Sequence, residues 1–548
     1  MIKKLIPKNN IFNSAPSQSI ASAAFIITLA GLISRVLGLV RDRFLASTFG
    51  AGDVLDIYYA AFRIPDLIYN LLIMGALSAA FIPVFTSLVS KEKEKDAWRL
   101  ASGILNLAIA AIIIFSLVFC FFAESITNLI TPGFSDEKLA QVVTFTRIMF
   151  LSPLFLGISG IFGGVLTSFK RFLVYSLAPI FYNVGIIIGI LFFVKFMGPV
   201  GLAWGVVLGA FLHMSIQYPA ARHLGYKHQW KMLQLFKNED IRKVGKLMIP
   251  RTLGIAVNQI NLFVITIFAS TLAAGSLAVL TLAQNIQGVP LGIFGISFAI
   301  AVFPSLSAYF AKNDQENFVK YFSETLRQIL FFVVPLSIFI IILRAQIVRV
   351  ILGAGQFDWE DTILTFECLG IFAMSLFAQS SIPLLARAYY AMHDTKTPFY
   401  IALFTELVNI ILVISLIGRF GVVGLAYAFS VTSLVQMFLL LFILRTRFEN
   451  LDDKRIVKSL TKIALASFLA GIVVQVFKYI TARYVDMDTF IGVFLQLSIS
   501  ALAGALVFIT IVYLAKSEEF LYFKNSLTKR VFRAKKVIVE DTSDVSGM

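Results

Sequence analysis

Arg35, Arg41, Asp42 and Arg43 stand within nine positions of a stretch, Ile20 to Thr48, that carries no other charge. Asp56, Arg63 and Asp66 follow in the next apolar segment. A charge at bilayer depth costs at least about 2.5 kcal/mol unless it is paired or wet. Counted from Ile20, Arg35 lies about 22 Å along a helix at 1.5 Å per residue. Arg35 and Asp42 are seven positions apart and share a helix face, with Arg41 about 100° away. Two readings stay open. The charges pair with one another to pin the first two segments together, or they line a hydrated cavity of net positive potential. The second would suit an anionic headgroup, because the arginine fork gives phosphate two parallel hydrogen bonds.

A second polar group is neutral apart from one carboxylate. Glu406 and Asn409 share a helix face, and Asn258, Gln259 and Asn261 lie close together in another segment. Oxygen ligands of this kind could hold Na⁺, or Glu406 could take a proton; hydrogen bonding between helices is the plainer use. No catalytic constellation accompanies these groups: no phosphate-binding loop, HExxH or nucleophile elbow occurs. The histidines His213, His223, His228 and His393 are dispersed and suit polar interfacial roles. Cys120 and Cys368 lie in apolar segments without metal-binding spacing. Neither a metal nor an organic cofactor is expected. The strings Gly201-x3-Gly205-x3-Gly209 and Gly157-x2-Gly160-x2-Gly163 follow the small-residue spacing that lets membrane helices pack closely.

The elements that must position these residues are membrane helices. Of 548 residues, 58% are hydrophobic and only 14% charged, with a mean hydropathy of +0.86; a soluble chain would carry about 25% charged residues. Phe172 to Val194, Ile104 to Ala123 and Phe490 to Ala515 hold no charge, and each is long enough to cross about 30 Å of hydrocarbon. Thr252 to Ala311 is uncharged for sixty positions, so a hairpin is expected at Ala273-Ala274-Gly275-Ser276. The pattern predicts an all-α integral membrane protein of about fourteen helices. Their spans are 20–48, 54–89, 98–123, 138–168, 173–196, 200–221, 246–272, 276–310, 316–343, 361–391, 397–417, 421–445, 457–481 and 488–515.

The net charge of +16 gathers in short connectors, among them Lys91 to Lys95, Lys170-Arg171, Arg222 to Lys246 and the tail beyond Lys516. That distribution obeys the positive-inside rule rather than marking a nucleic-acid surface. Both termini are therefore expected in the cytoplasm, with the first apolar stretch retained as a membrane helix rather than cleaved as a signal peptide. The final segment, Lys529 to Met548, has the composition of a disordered tail. The connector around Tyr226, Trp230 and Leu233 is either an interfacial amphipathic helix or a plain link.

An internal repeat organises the chain. Ala46-Ser47-Thr48 with Ala51-Gly52 recurs as Ala269-Ser270-Thr271 with Ala274-Gly275, an offset of 223. Gly198 with Gly201-Leu202-Ala203 recurs as Gly421 with Gly424-Leu425-Ala426 at the same offset, and Pro83 matches Pro304 at 221. A repeat of six helices predicts two parallel six-helix lobes with a site between them, plus two C-terminal helices. The expected divisions are a tail 1–19, an N-lobe 20–222, a connector 223–245, a C-lobe 246–446, accessory helices 447–516 and a tail 517–548. At the repeat offset Arg35 maps to Asn258, Arg41 to Val264 and Asp56 to Val279, so the second lobe is neutral where the first is charged.

Several motifs resemble the MurJ (MviN-type) lipid II flippases of the multidrug/oligosaccharidyl-lipid/polysaccharide exporter superfamily. They are Ser34-Arg-Val-Leu-Gly-Leu-Val-Arg-Asp42, Phe49-Gly-Ala-Gly52 with Asp56, and Gly75-Ala-Leu-Ser-Ala-Ala-Phe-Ile-Pro83. Phe303-Pro-Ser-Leu-Ser307 and Asp394-Thr-Lys-Thr-Pro398 continue the series. The resemblance implies fourteen helices, two lobes and export of an undecaprenyl-diphosphate-linked peptidoglycan precursor across the bacterial inner membrane. It also implies that Arg35, Arg41, Asp42 and Asp56 line the central cavity. Where well-known members carry charges, this chain has Tyr69, Asn70, Met74 and Asn285. Either the diphosphate is held by the first helix and polar groups that include Asn285 and Gln287, or the cargo is different.

The reading that follows is a monomeric flippase working by alternating access, with Na⁺ or H⁺ as an optional coupling ion at Asn258, Asn261, Glu406 and Asn409. An exporter of another lipid-linked oligosaccharide or a small amphipathic molecule is the alternative. A polyprenyl-dependent glycosyltransferase fits less well, because the outer connectors are too short to carry catalytic carboxylates on an external domain.

Overall fold

The computed structural model describes residues 20–74, 81–229 and 239–524. Both expected tails beyond those limits, Gly75 to Ala80 of the third motif, and Trp230 and Leu233 of the connector lie outside the described residues. So does the side chain of Asn258.

Among the described residues every regular element is a helix. In chain order these are α1 (Ile20–Phe49), α2 (Asp53–Ala61), α3 (Arg63–Tyr69), α4 (Ile82–Ser90), α5 (Glu94–Phe121), α6 (Ala123–Ile130) and α7 (Asp136–Met149). There follow α8 (Leu151–Ser168), α9 (Phe172–Ile188), α10 (Val194–Met197), α11 (Gly201–His223), α12 (Glu239–Ser270), α13 (Ser276–Pro290) and α14 (Ser297–Ala311). The last six are α15 (Gln315–Ile351), α16 (Trp359–Ala391), α17 (Lys396–Phe420), α18 (Val422–Arg447), α19 (Asp453–Ala482) and α20 (Phe490–Leu514). Among the described residues, ten helical stretches are long and apolar enough to cross a membrane. The protein is an all-α, multi-pass membrane protein.

The uncharged sixty-residue stretch folds back between α12 and α13, at the Gly-containing turn expected for it. Among the boundaries that differ from the sequence pattern, two have a direct physical reason. Helix α12 begins at Glu239 rather than 246, because a polar, charged first turn can extend a helix beyond the lipid core. The span 54–89 is broken rather than continuous. Pro65 cannot donate to the carbonyl of Ala61, and that carbonyl instead accepts the Thr146 hydroxyl at 3.4 Å. Short π-helical turns interrupt this span at Asn70–Met74 and two others at Gly189–Phe193 and Leu291–Ile296, the last directly after Pro290.

The chain divides into two compact units. Unit 1 comprises residues 1–285, 351–365 and 410–425; unit 2 comprises 286–350, 366–409 and 426–548. Within unit 1, α9 and α11 pack backbone to backbone. A Cβ on Gly185 would land on the Cα of Gly209, and one on Gly189 on that of Gly205. The glycine string of α11 therefore serves close helix contact. Unit 2 packs α15, α19 and α20 around Phe331, Ile463, Ala466, Ala470, Phe508 and Val512. The lipid-facing sides of α19 and α20 leave Phe468, Ile472, Leu502 and Leu506 exposed.

Candidate functional site

Helix α1 runs against α9 in unit 1, and the contact is polar at one level. Arg41 donates from Nε and Nη2 to Asp42 Oδ1 at 3.0 and 2.8 Å, and from Nη1 to Asn183 Oδ1 at 3.2 Å. Asn183 is oriented by its own amide hydrogens, which reach the carbonyl of Pro179 at 3.1 Å and that of Ser34 at 3.3 Å. The other oxygen of Asp42 accepts Asn285 Nδ2 at 3.0 Å. Both carboxylate oxygens are thus committed, and the Asp42 side chain is only 3% exposed while that of Arg41 is 20% exposed. A guanidinium carries five N–H donors. Three are used here, which leaves two on a rigidly held, partly open fork. Arg35, also half-buried, joins no hydrogen bond or ion pair among the described residues. The group has two cations and one anion.

Asp56 does not join that group. Its Oδ2 accepts the backbone N–H of Gly275 at 2.8 Å, and its Oδ1 that of Ala278 at 2.9 Å. It is therefore the N-terminal cap of α13, supplied from α2 across the sequence. Lys138, at the start of α7, bridges Asp56 Oδ2 at 3.0 Å and Asp53 Oδ1 at 2.7 Å. The repeat explains the arrangement. Helix α2 begins at 53 and α13 at 276, an offset of 276 − 53 = 223, so two repeat-related helix N-termini meet here. Both carry positive dipole ends, which the two aspartates neutralise.

Other turns of unit 1 close on the same place. Gln356 N–H reaches the Ser47 carbonyl at 3.0 Å, and Ala51 N–H reaches Asp361 Oδ2 at 2.8 Å. Gly275 has φ +85° and its Cα faces the Ala51 carbonyl so closely that a Cβ would overlap it. Together these bonds latch one end of the unit.

The remaining expected residues fall in both units. Gln287 belongs to unit 2, where its amide donates to Gln379 Oε1 at 2.9 Å and its Oε1 is buried without a hydrogen-bond partner. Asn285, two positions earlier, is in unit 1. Glu406 and Asn409 do come together: Asn409 Nδ2 lies 3.5 Å from Glu406 Oε1, both are buried, and Asn409 Oδ1 has no hydrogen-bond partner. Asn261 is in unit 1, and Glu406 and Asn409 are in unit 2. Sequence reasoning missed Asn183, Lys138 and the Arg63–Thr266 hydrogen bond of 2.7 Å. Lys138 carried a usable signal, an isolated cation just behind the helix-starting Ser135-Asp136-Glu137. Asn183 carried only its place four residues after Pro179.

Comparison with known proteins adds the following. Residues 45–495 match the family model described as Lipid II flippase MurJ. A probable lipid II flippase MurJ of Buchnera aphidicola subsp. Acyrthosiphon pisum is 32% identical over 420 residues, covering 76% of this chain and 81% of the relative. Its counterpart in Vibrio cholerae is 30% identical over 455 residues, covering 78% and 84%. A solved structure of lipid II flippase MurJ in an inward closed conformation superposes with a TM-score of 0.74 at 26% identity, covering 89% of this chain and 98% of that one. An inward-facing multidrug resistance transporter of the MATE family has a TM-score of 0.65 at 14% identity, covering 77% of this chain and 96% of its own, a likeness of fold.

Proposed function

Because this chain belongs to the lipid II flippase MurJ family, we propose that it moves lipid II between membrane leaflets by alternating access, with Arg41 as the group that meets the diphosphate. The observation that carries the assignment of Arg41 is its unfinished hydrogen bonding. Asp42 and Asn183 fix the plane of the guanidinium and leave two N–H donors at a partly open position. Asn285 holds Asp42 from the other side, so the anion orients Arg41 without occupying all of its fork. Arg35 adds a second cation on the same helix. Such a group attracts a phosphate and orients it.

We place the protein in the bacterial cytoplasmic membrane with both termini in the cytoplasm, as the positive-inside distribution supports. On that orientation the latched end of unit 1 faces outward, and its bonds must break for the headgroup to leave. The protein acts as a transporter rather than an enzyme, with no nucleotide as its energy source. Membrane potential supplies about 2.3 kcal/mol per charge per 100 mV. A cation at Glu406 and Asn409 is a further source: a carboxylate beside an unpartnered buried amide oxygen fits Na⁺, and Glu406 alone fits H⁺.

The test is lipid II binding to the purified full-length protein by native mass spectrometry, comparing wild type with Arg35→Ala/Arg41→Ala. The wild type should bind lipid II selectively and the double variant should lose most of it. Equal binding by both folded proteins would remove the arginines from the mechanism. No binding by folded wild type would point to another lipid-linked cargo.

A further inference from the structure

Unit 2 holds a second pair of cations, remote in sequence from the α1 group and not used by the proposed transport cycle. Arg344 lies on α15, 351 − 344 = 7 residues before its end, and Lys478 on α19, 482 − 478 = 4 residues before its end. At 1.5 Å per residue these are about 10 Å and about 6 Å inside the helix ends, the depth of a headgroup region. Nearby Tyr479 and Tyr484 are 64% and 83% exposed, as aromatic residues are at a membrane interface.

The two side chains are brought together by packing. Gly471 of α19 sits against Ile338 and Ile342 of α15, and Lys478, seven residues on, shares that face. Lys478 Nζ donates to the Ile342 carbonyl at 3.0 Å, and Arg344 Nη1 to the neighbouring Ile341 carbonyl at 2.8 Å. The guanidinium lies over the Phe366 ring at 5.5 Å. Lys478 feels the charge of Arg344 beside it, yet neither appears in any ion pair among the described residues. The carboxylates closest to them in sequence, Asp358 and Glu360 to Arg344 and Asp486 and Asp488 to Lys478, make no ion pair with them either. The other polar partners at this level are neutral: Gln496 donates to the Lys478 carbonyl at 2.8 Å and accepts from Gln346 at 3.0 Å. One described bond each leaves Arg344 with four donors and Lys478 with two.

We propose that Arg344 and Lys478 form a binding site for the phosphate of an anionic phospholipid. Two like charges held half-buried beside one another, without a carboxylate, are stabilised by an anion in a way that backbone carbonyls cannot match. Basic pockets between membrane helices take lipid headgroups by this means. The acyl chains have a surface to follow, since Phe468, Ile472 and Val476 repeat every four residues on the exposed side of α19 and are 62%, 48% and 47% exposed. The site is independent of the lipid II reading and of which leaflet this end faces.

Full-length protein, delipidated in detergent, is titrated by native mass spectrometry with phosphatidylglycerol, with phosphatidylcholine and with inorganic phosphate alone. Wild type is compared with Arg344→Gln/Lys478→Gln and with the charge-preserving Arg344→Lys/Lys478→Arg. Retention of phosphatidylglycerol should exceed that of phosphatidylcholine. It should fall at least fivefold in the glutamine variant and persist in the charge-preserving one, which also controls for folding. Binding of inorganic phosphate, lost in the same variant, would support the phosphate site and assign it to the free anion. Equal phosphatidylglycerol retention in wild type and glutamine variant, or no preference over phosphatidylcholine, overturns the proposal.

Discussion

Asp42 and Asp56 stand 56 − 42 = 14 residues apart, and both are buried, at 2% and 1% exposure. Their partners are of opposite kinds. Asp42 gives its oxygens to two side chains, Arg41 and Asn285, while Asp56 gives its own to two backbone N–H groups and to Lys138. A carboxylate bound to side chains can tune what those side chains do next, because each partner keeps further donors. A carboxylate bound to backbone holds a helix in place and has little left to offer. The first cluster suits ligand recognition and the second suits a latch. The contrast can be broken at either member.

The largest effect is expected at the latch. Asp56→Ala leaves two N–H groups at the start of α13 and the Lys138 ammonium without their buried acceptor. Losing one partner of a buried charged network costs about 3–5 kcal/mol. Asp56→Asn, which keeps an acceptor oxygen but no charge, should fall between it and wild type. Amide hydrogen exchange at Gly275 and Ala278 is the direct readout, and it should accelerate strongly in the alanine variant. Unchanged exchange there would show that the latch is held by the surrounding turns instead. Gly275→Ala tests those turns, since its φ of +85° and its contact with the Ala51 carbonyl both exclude a side chain.

A smaller and different effect is expected at Asn285. Asn285→Leu removes one hydrogen bond from a buried carboxylate, worth about 1–3 kcal/mol. Arg41 remains paired with Asp42 but loses its fixed orientation, so lipid II affinity should drop by roughly fivefold, which is about 1 kcal/mol, with a modest loss of melting temperature. An affinity loss as large as that of Arg41→Ala would mean that Asn285 touches the ligand itself. Arg41→Lys should not restore binding, because an ammonium cannot reproduce the planar fork.

How far each cluster was legible follows from the range of its interactions. Arg35, Arg41 and Asp42 announce themselves because charge in an apolar helix is expensive, and the expense is visible in one segment. Their all-α, membrane-spanning context was equally visible, since apolar length depends on local sequence alone. Asn183 was not visible: a single asparagine in an apolar segment reads as an ordinary interhelical hydrogen bond, and only the packing of α1 on α9 gives it Arg41. Asp56 was legible as a charge but not as a cap, because its bonded amides are 219 and 222 residues away. The different partners of Asn285 and Gln287, Asp42 and Gln379, were likewise hidden, because each lies on a remote segment of the chain.

Asp394 offers the mildest test of the same contrast, because it performs locally what Asp56 performs across the sequence. Its Oδ1 accepts the N–H groups of Lys396 and Thr397 at 3.0 Å each, capping α17. Its Oδ2 accepts the Thr397 hydroxyl and the Arg447 guanidinium, both at 2.6 Å. This accounts physically for the Asp394-Thr-Lys-Thr-Pro398 motif. Burial pushes the carboxyl upward, but the Thr397 hydroxyl, the Thr397 N–H and Arg447 outweigh it and draw the pKa down from 3.8 to about 2. A depressed carboxylate pKa stabilises the fold above the unfolded value, and that stability is lost as pH falls through the folded one. A cap of this kind is worth about 1 kcal/mol. The melting-temperature gap between wild type and Asp394→Asn should therefore stay constant above about pH 5, narrow between about pH 4 and 2, and close below that. A gap that persists undiminished at the acid end would mean that the hydrogen-bond geometry of the turn, and not its charge, fixes the start of α17. The charge-based account of Asp56 would then weaken with it, since both rest on a carboxylate answering a helix N-terminus.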